Sequence, residues 1–130
     1  MEATKAQLAA ALALAESWVN EGVDINEVGK LIAHLRAGKD WNKTLELARR
    51  LSTGGPVRSK QTIRYYQTIH RECSAQIRKN ASAEAAGRIL GWAFRLARFK
   101  KLEALDRQVR NRFLGHGGNR QPRLGGRRNR

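Results

Sequence analysis

The chain has 130 residues, is 41% hydrophobic, and sets 26 Lys and Arg against 11 Asp and Glu, a net charge of +15. That length suits one hydrophobic core and is too short for two ordinary domains. Residues 1–57 hold seven basic and seven acidic side chains, whereas residues 58–130 hold nineteen and four, so the whole excess lies in the C-terminal part. A sign asymmetry of this kind points to a polyanionic partner and argues against a freestanding enzyme for small neutral substrates.

One cysteine, Cys73, excludes an internal disulfide and fits a reducing, cytoplasmic setting. The longest uncharged run, ten residues between Lys5 and Glu16, is too short to span a bilayer, and no membrane partner is expected. Leu8–Ala15 resembles the apolar part of a signal peptide, with Ala13-Leu14-Ala15 as a cleavage-like site. Glu2 offsets Lys5, however, and the stretch reads as an ordinary first helix.

Strand patterning is nearly absent and helical periodicity runs throughout. The first helix is expected from Thr4 to Glu21, with Leu8, Leu12, Ala15 and Val19 on one face and Gly22 as its stop. Asp24 caps a second, with Glu27 completing a capping box. Ile25, Val28, Leu31, Ile32 and Leu35 line its face and Gly38 closes it. A third follows Asp40 and carries Trp41, Leu45, Ala48 and Leu51 before Gly54-Gly55-Pro56. A fourth opens at Ser59 and runs to about Lys79, with Ile63, Tyr66, Ile69, Cys73 and Ile77 as its apolar stripe. The fifth starts near Ala83 and buries Ala86, Ile89, Leu90, Ala93 and Ala97. Gly87 and Gly91, four apart, would admit a close neighbouring helix. Beyond Lys100 the stripe shifts to Leu102, Leu105, Val109 and Phe113, a kink or a new helix ending at Gly115. The fold expected is an all-α bundle of five or six helices over residues 1–114. Residues 115–130 form a Gly/Arg-rich basic tail with too little apolar surface to fold alone.

Lys60, Arg64, Gln67, Arg71, Ser74 and Arg78 fall on one stripe of the fourth helix. Guanidinium forks match phosphate oxygens bidentately and keep their charge, so such a row suits a nucleic-acid backbone, whereas an ordinary solvated face would mix signs. The fifth helix repeats the theme with Arg88, Arg95, Arg98, Lys100 and Lys101. Trp92 and Phe99 beside them either stack on an exposed base or finish the core. Eight arginines from Arg107 to Arg130, Arg110 and Arg112 among them, are accompanied by no acid. Such arms add affinity more than selectivity. His70 and Cys73 share a face but make only half a zinc site, and His34 and His116 stand apart. There is no phosphate-cradling loop, and the basic part offers only Glu72, Glu84, Glu103 and Asp106 as metal-holding acids. No cofactor, metal or catalytic group is expected.

Ser59-Lys60-Gln61-Thr62-Ile63-Arg64-Tyr65-Tyr66 resembles the Ser-Gln-Ile-Arg-Lys-Phe/Tyr segment of small all-helical subunits of CRISPR effector complexes, type III above all. Ile63 and Arg64 fall on the Ile-Arg pair and Tyr66 on the aromatic. Tyr65 departs where the family has Lys, and Thr62 where it has Gln. The size and basicity also resemble small subunits of type IV complexes. The likeness covers about a helix and a half, and it implies a non-catalytic RNA-binding subunit of an antiviral ribonucleoprotein. Its implied partners are the guide RNA or target strand (single-stranded DNA included), the backbone subunits and adjacent copies of itself. Thr62-Ile63-Arg64-Tyr65-Tyr66 also looks like a helix of the DNA-binding arm of tyrosine recombinases, and Ile-Arg-Tyr-Tyr occurs in winged-helix regulators. A DNA-binding helical module, of recombinase-arm or nucleoid type, is therefore the alternative. A structural RNA-binding protein of a ribosome or phage particle is another.

Overall fold

A computed structural model describes residues 3–55 and 59–113. Among them are five helices and no strand: α1 Lys5–Asn20, α2 Ile25–Gly38, α3 Trp41–Ser52, α4 Lys60–Gln76 and α5 Ala83–Phe113. The contacts divide the chain into two compact units, residues 1–98 and 99–130. Pro56, Gly115, where the helical segment beyond Lys100 was expected to end, and the expected basic tail lie outside the described residues.

Each helix begins at a side chain suited to the purpose. Thr4 accepts from the Gln7 amide while the Gln7 side chain accepts from the Thr4 amide, so the capping box belongs to α1. The box expected at Asp24 and Glu27 is not made. Asp24 caps α2 through the Asn26 amide, and Glu27 is engaged elsewhere. Asp40 caps α3 through Lys43, Ser59 caps α4 through Thr62, and Ser82 accepts from the Ala85 amide at the start of α5. Gly22, at φ +69°, lets the chain reverse after α1. At the end of α2 the left-handed residue is Lys39 (φ 54°), not Gly38.

The core of the first unit is filled by Trp18, Leu14, Val28, Leu31, Trp41, Ile69, Cys73 and Leu90, each 2% exposed or less. Each Leu or Ile withdrawn fully from water in this way contributes about 1.5–3 kcal/mol. The α5 face runs Ala86, Ile89, Leu90, Ala93, Ala97, as its spacing predicts. Side chains of α2 and α5 meet across two glycines. A Cβ placed at Gly29 would stand 3.5 Å from Phe94 Cε1, and one at Gly87 would stand 3.8 Å from Leu35 Cδ2. Polar ties join the helices between these apolar layers. Tyr66 donates its hydroxyl to Glu27 at 2.8 Å, Thr68 donates to Glu21 at 3.1 Å, and His34 meets Thr44 at 2.9 Å.

α4 ends at Gln76, three residues before the expected Lys79. Ile77 is extended (φ −126°, ψ 123°), which carries its side chain into the core at 2% exposure. Arg78 thereby leaves the helix and its basic row, and a turn closed by the Ala81 amide on the Arg78 carbonyl leads to α5. α5 runs without a break to Phe113, so no new helix starts beyond Lys100. In the second unit Phe99, Leu102, Leu105, Val109 and Phe113 are 44–73% exposed. Phe99 does not finish the core, and neither does Trp92, at 39% exposure.

Candidate nucleic-acid interface

The cations of the fourth helix meet different fates. Lys60, Arg64, Gln67 and Arg71 are all exposed on α4. Gln67, however, donates to the Ser52 carbonyl, and Arg71 pairs with Glu21 at 2.5 Å and with Glu72 at 3.0 Å. The Glu72 hydrogen bond, followed by the charge of Glu21, pushes the Arg71 guanidinium pKa further up. The fold brings Glu21, the residue that closes α1, beside α4, so this arginine fastens two helices rather than facing solvent alone. The side chains of Lys60 and Arg64 make no ion pair or hydrogen bond among the described residues, and Arg78 is exposed beyond the helix.

On α5 the first unit holds Arg88, Arg95 and Arg98. Arg88 is half-buried and donates to the Gln7 side chain at 3.3 Å. Arg95 lies over the Trp92 ring, 5.2 Å from its centroid, and Arg98 over Phe94 at 5.7 Å. In the second unit Lys100 and Lys101 are half-buried, while Arg107, Arg110 and Arg112 are exposed. Arg110 pairs with Asp106 at 3.0 Å.

The first unit also contains a cleft that the sequence reading did not isolate. It lies between the C-terminal half of α2 and the N-terminal half of α5 and has a volume of about 810 Å³. Ile32, Leu35, Gly87 and Gly91 give it apolar and backbone surface, and Trp92 stands at its side. Arg36, Lys39, Arg88 and Arg95 line it, with Glu84 as the one acid among the described residues of its lining. Gly91 was expected to admit a neighbouring helix, yet a Cβ built there meets nothing within 4 Å, so that position faces open space. Arg36 and Lys39 come from the electrically balanced part of the chain, outside the basic part that the charge asymmetry singled out. The signal that could have found them is their own spacing: Ile32, Leu35, Arg36 and Lys39 follow one another along one strip of a helix.

Among the described residues no three His, Cys, Asp or Glu side chains gather to hold a metal ion. Cys73 is fully buried, and burial pushes its thiol up to about 12, far from a nucleophile's range. Burial, and then the hydrogen bond to Glu27, pushes the Tyr66 phenol pKa up as well. Among the described residues no helix is long and apolar enough to cross a membrane.

Comparison with known proteins returned no matching family model, no matching curated protein and no matching solved structure.

Proposed function

We propose that the chain is a non-catalytic nucleic-acid-binding subunit of a ribonucleoprotein. The observation that carries this reading is the cleft between α2 and α5, where four cations meet one acid around an exposed indole. Fixed positive charge beside a stacking surface is what a single strand needs for attachment without sequence readout. The resemblance at Ser59–Tyr66 supports a narrower form of the proposal, a small subunit of a CRISPR effector complex. There, base pairing with a guide reads sequence, and the protein contributes shape and charge. In that setting the guide RNA or target strand occupies the basic surface. The exposed apolar row Phe99, Leu102, Leu105, Val109, Phe113 meets a protein neighbour, either a backbone subunit or another copy of the chain, because rows of this size rarely stay in water.

Purifying the native protein from its host, then sequencing nuclease-resistant RNA and identifying co-purifying proteins, tests the reading. Short RNAs of uniform length with a repeat-derived end, together with a large backbone protein, are expected. Genomic DNA fragments would move the assignment to a DNA-binding module, and ribosomal RNA to a ribosome-associated protein. Recovery of no nucleic acid would contradict both forms of the proposal.

A further inference from the structure

The geometry points to the α2/α5 cleft as a seat for one unstacked base of a single-stranded nucleic acid, held against Trp92 with its flanking phosphates on Arg36, Lys39 and Arg88. This rests on the nucleic-acid reading above and deepens it by naming the form of the ligand and the place of its base.

Four observations converge. The cleft, at about 810 Å³, is of the size that takes a small organic group, and its floor at Gly87 and Gly91 lacks side chains. Gly91 is not needed for helix packing, since a Cβ there meets nothing, so the space it leaves is available to a ligand. Trp92 is the one tryptophan of the three that reaches solvent, at 39% exposure against 0% for Trp18 and 2% for Trp41, and Arg95 lies over one face of its ring, which leaves the other face for a base. Lys39, at the rim, is the one residue other than glycine with a positive φ among those described. Gly38 precedes it, and glycine would take that backbone conformation without strain, yet a cation occupies the place. Strain of this kind collects where a side chain has work to do.

A planar aromatic surface, a side-chain-free floor and cations on two sides match a nucleotide better than an acidic peptide, which would leave the indole without a stacking partner. They also exclude a duplex as the occupant, because stacked and paired bases cannot enter a cleft between two helices without first leaving the stack.

The test uses the full-length protein and fluorescein-labelled 12-nucleotide oligo(rA) and oligo(dA), with a 12-base-pair duplex as the third probe. Probe anisotropy reports binding anywhere on the protein, and tryptophan emission reports the cleft, because Trp18 and Trp41 are buried. Both single strands are expected to quench up to about a third of the emission as they bind, from stacking on one tryptophan of three. The duplex is expected to bind without quenching. Trp92→Ala and Gly91→Leu should each weaken single-strand binding about ten-fold. A Cβ at Gly91 meets nothing within 4 Å and leucine is the better helix former, so the melting temperature of Gly91→Leu is expected not to fall, and it serves as the test if Trp92→Ala is unstable. Tighter binding of oligo(rA) than of oligo(dA) would identify RNA as the occupant, and the reverse DNA. Anisotropy that reports binding with unchanged tryptophan emission, or equal affinity in both variants, overturns the base seat and leaves the nucleic-acid reading standing. Equal quenching by the duplex also overturns it. No anisotropy change with any probe at low salt overturns both.

Discussion

Replacing Tyr66 by Phe tests how the first unit is held together. The Tyr66 hydroxyl donates to Glu27 at 2.8 Å across 39 residues of sequence and ties α4 to α2. Tyr66 is 3% exposed and the Glu27 side chain 13%, while the second partner of Glu27, Lys30, is 70% exposed at 3.3 Å and contributes little. A hydrogen bond to a charged group in such a place is worth about 1.5–3 kcal/mol, and the residual water at Glu27 puts the loss on Tyr66→Phe near 1.5–2 kcal/mol. Glu27→Gln keeps a neutral acceptor and should cost about 0.5–1 kcal/mol, and the double variant should cost less than the sum of the two singles. Urea unfolding followed by far-ultraviolet circular dichroism gives all three values.

The same contact sets a pH dependence. Burial, then Glu27, raises the folded Tyr66 pKa above its ordinary value of 10.0. The contribution of the neutral phenol is therefore complete below about pH 10 and is lost as pH rises beyond it, and Tyr66→Phe should remove that part of the alkaline loss. A Tyr66→Phe variant within about 0.5 kcal/mol of the parent, well under the value expected for a charged hydrogen bond, would refute the reasoning.

Cys73 should resist iodoacetamide in the native protein at pH 8 and react after denaturation. Its raised pKa also implies stability that is complete below about pH 8.5 and declines as pH climbs toward about 12, which pH-resolved urea unfolding would show. The buried Ser17 hydroxyl has no hydrogen-bond partner among the described residues, so Ser17→Ala should stabilise by about 0.5–1 kcal/mol in thermal or urea unfolding. Lys39→Gly relieves the left-handed backbone and should stabilise by about 0.5–1 kcal/mol while weakening oligonucleotide binding. Opposite signs in the two assays are the mark of a residue kept for binding.

The helices were legible because their signals are local. Caps at Asp24, Asp40 and Ser59, and the spacing Ala86, Ile89, Leu90, Ala93, Ala97, depend on neighbours a few residues away. What the sequence withheld depends on which helices meet. The charge row of α4 looked uniform because Glu21 is fifty residues distant from Arg71, and only the fold brings the two together. Glu27 has the spacing of a capping box, but Tyr66 takes its carboxylate, and a buried hydroxyl is a more demanding partner than a solvent-exposed amide. Trp92 sits among residues that pack, yet it lies on the side of α5 that borders the cleft. That cleft joins cations from both parts of the chain, so a division of charge at residue 57 hid Arg36 and Lys39.

If the cleft cations hold a strand by its phosphates, the affinity for oligo(rA) falls steeply with salt. Phosphates neutralised by Arg36, Lys39 and Arg88 predict that log K falls against log salt with a slope of about −2 for a single strand. Changing Arg36 and Lys39 to Gln should bring that slope down to about a third. A slope near zero, or one that the double change leaves untouched, would contradict the account.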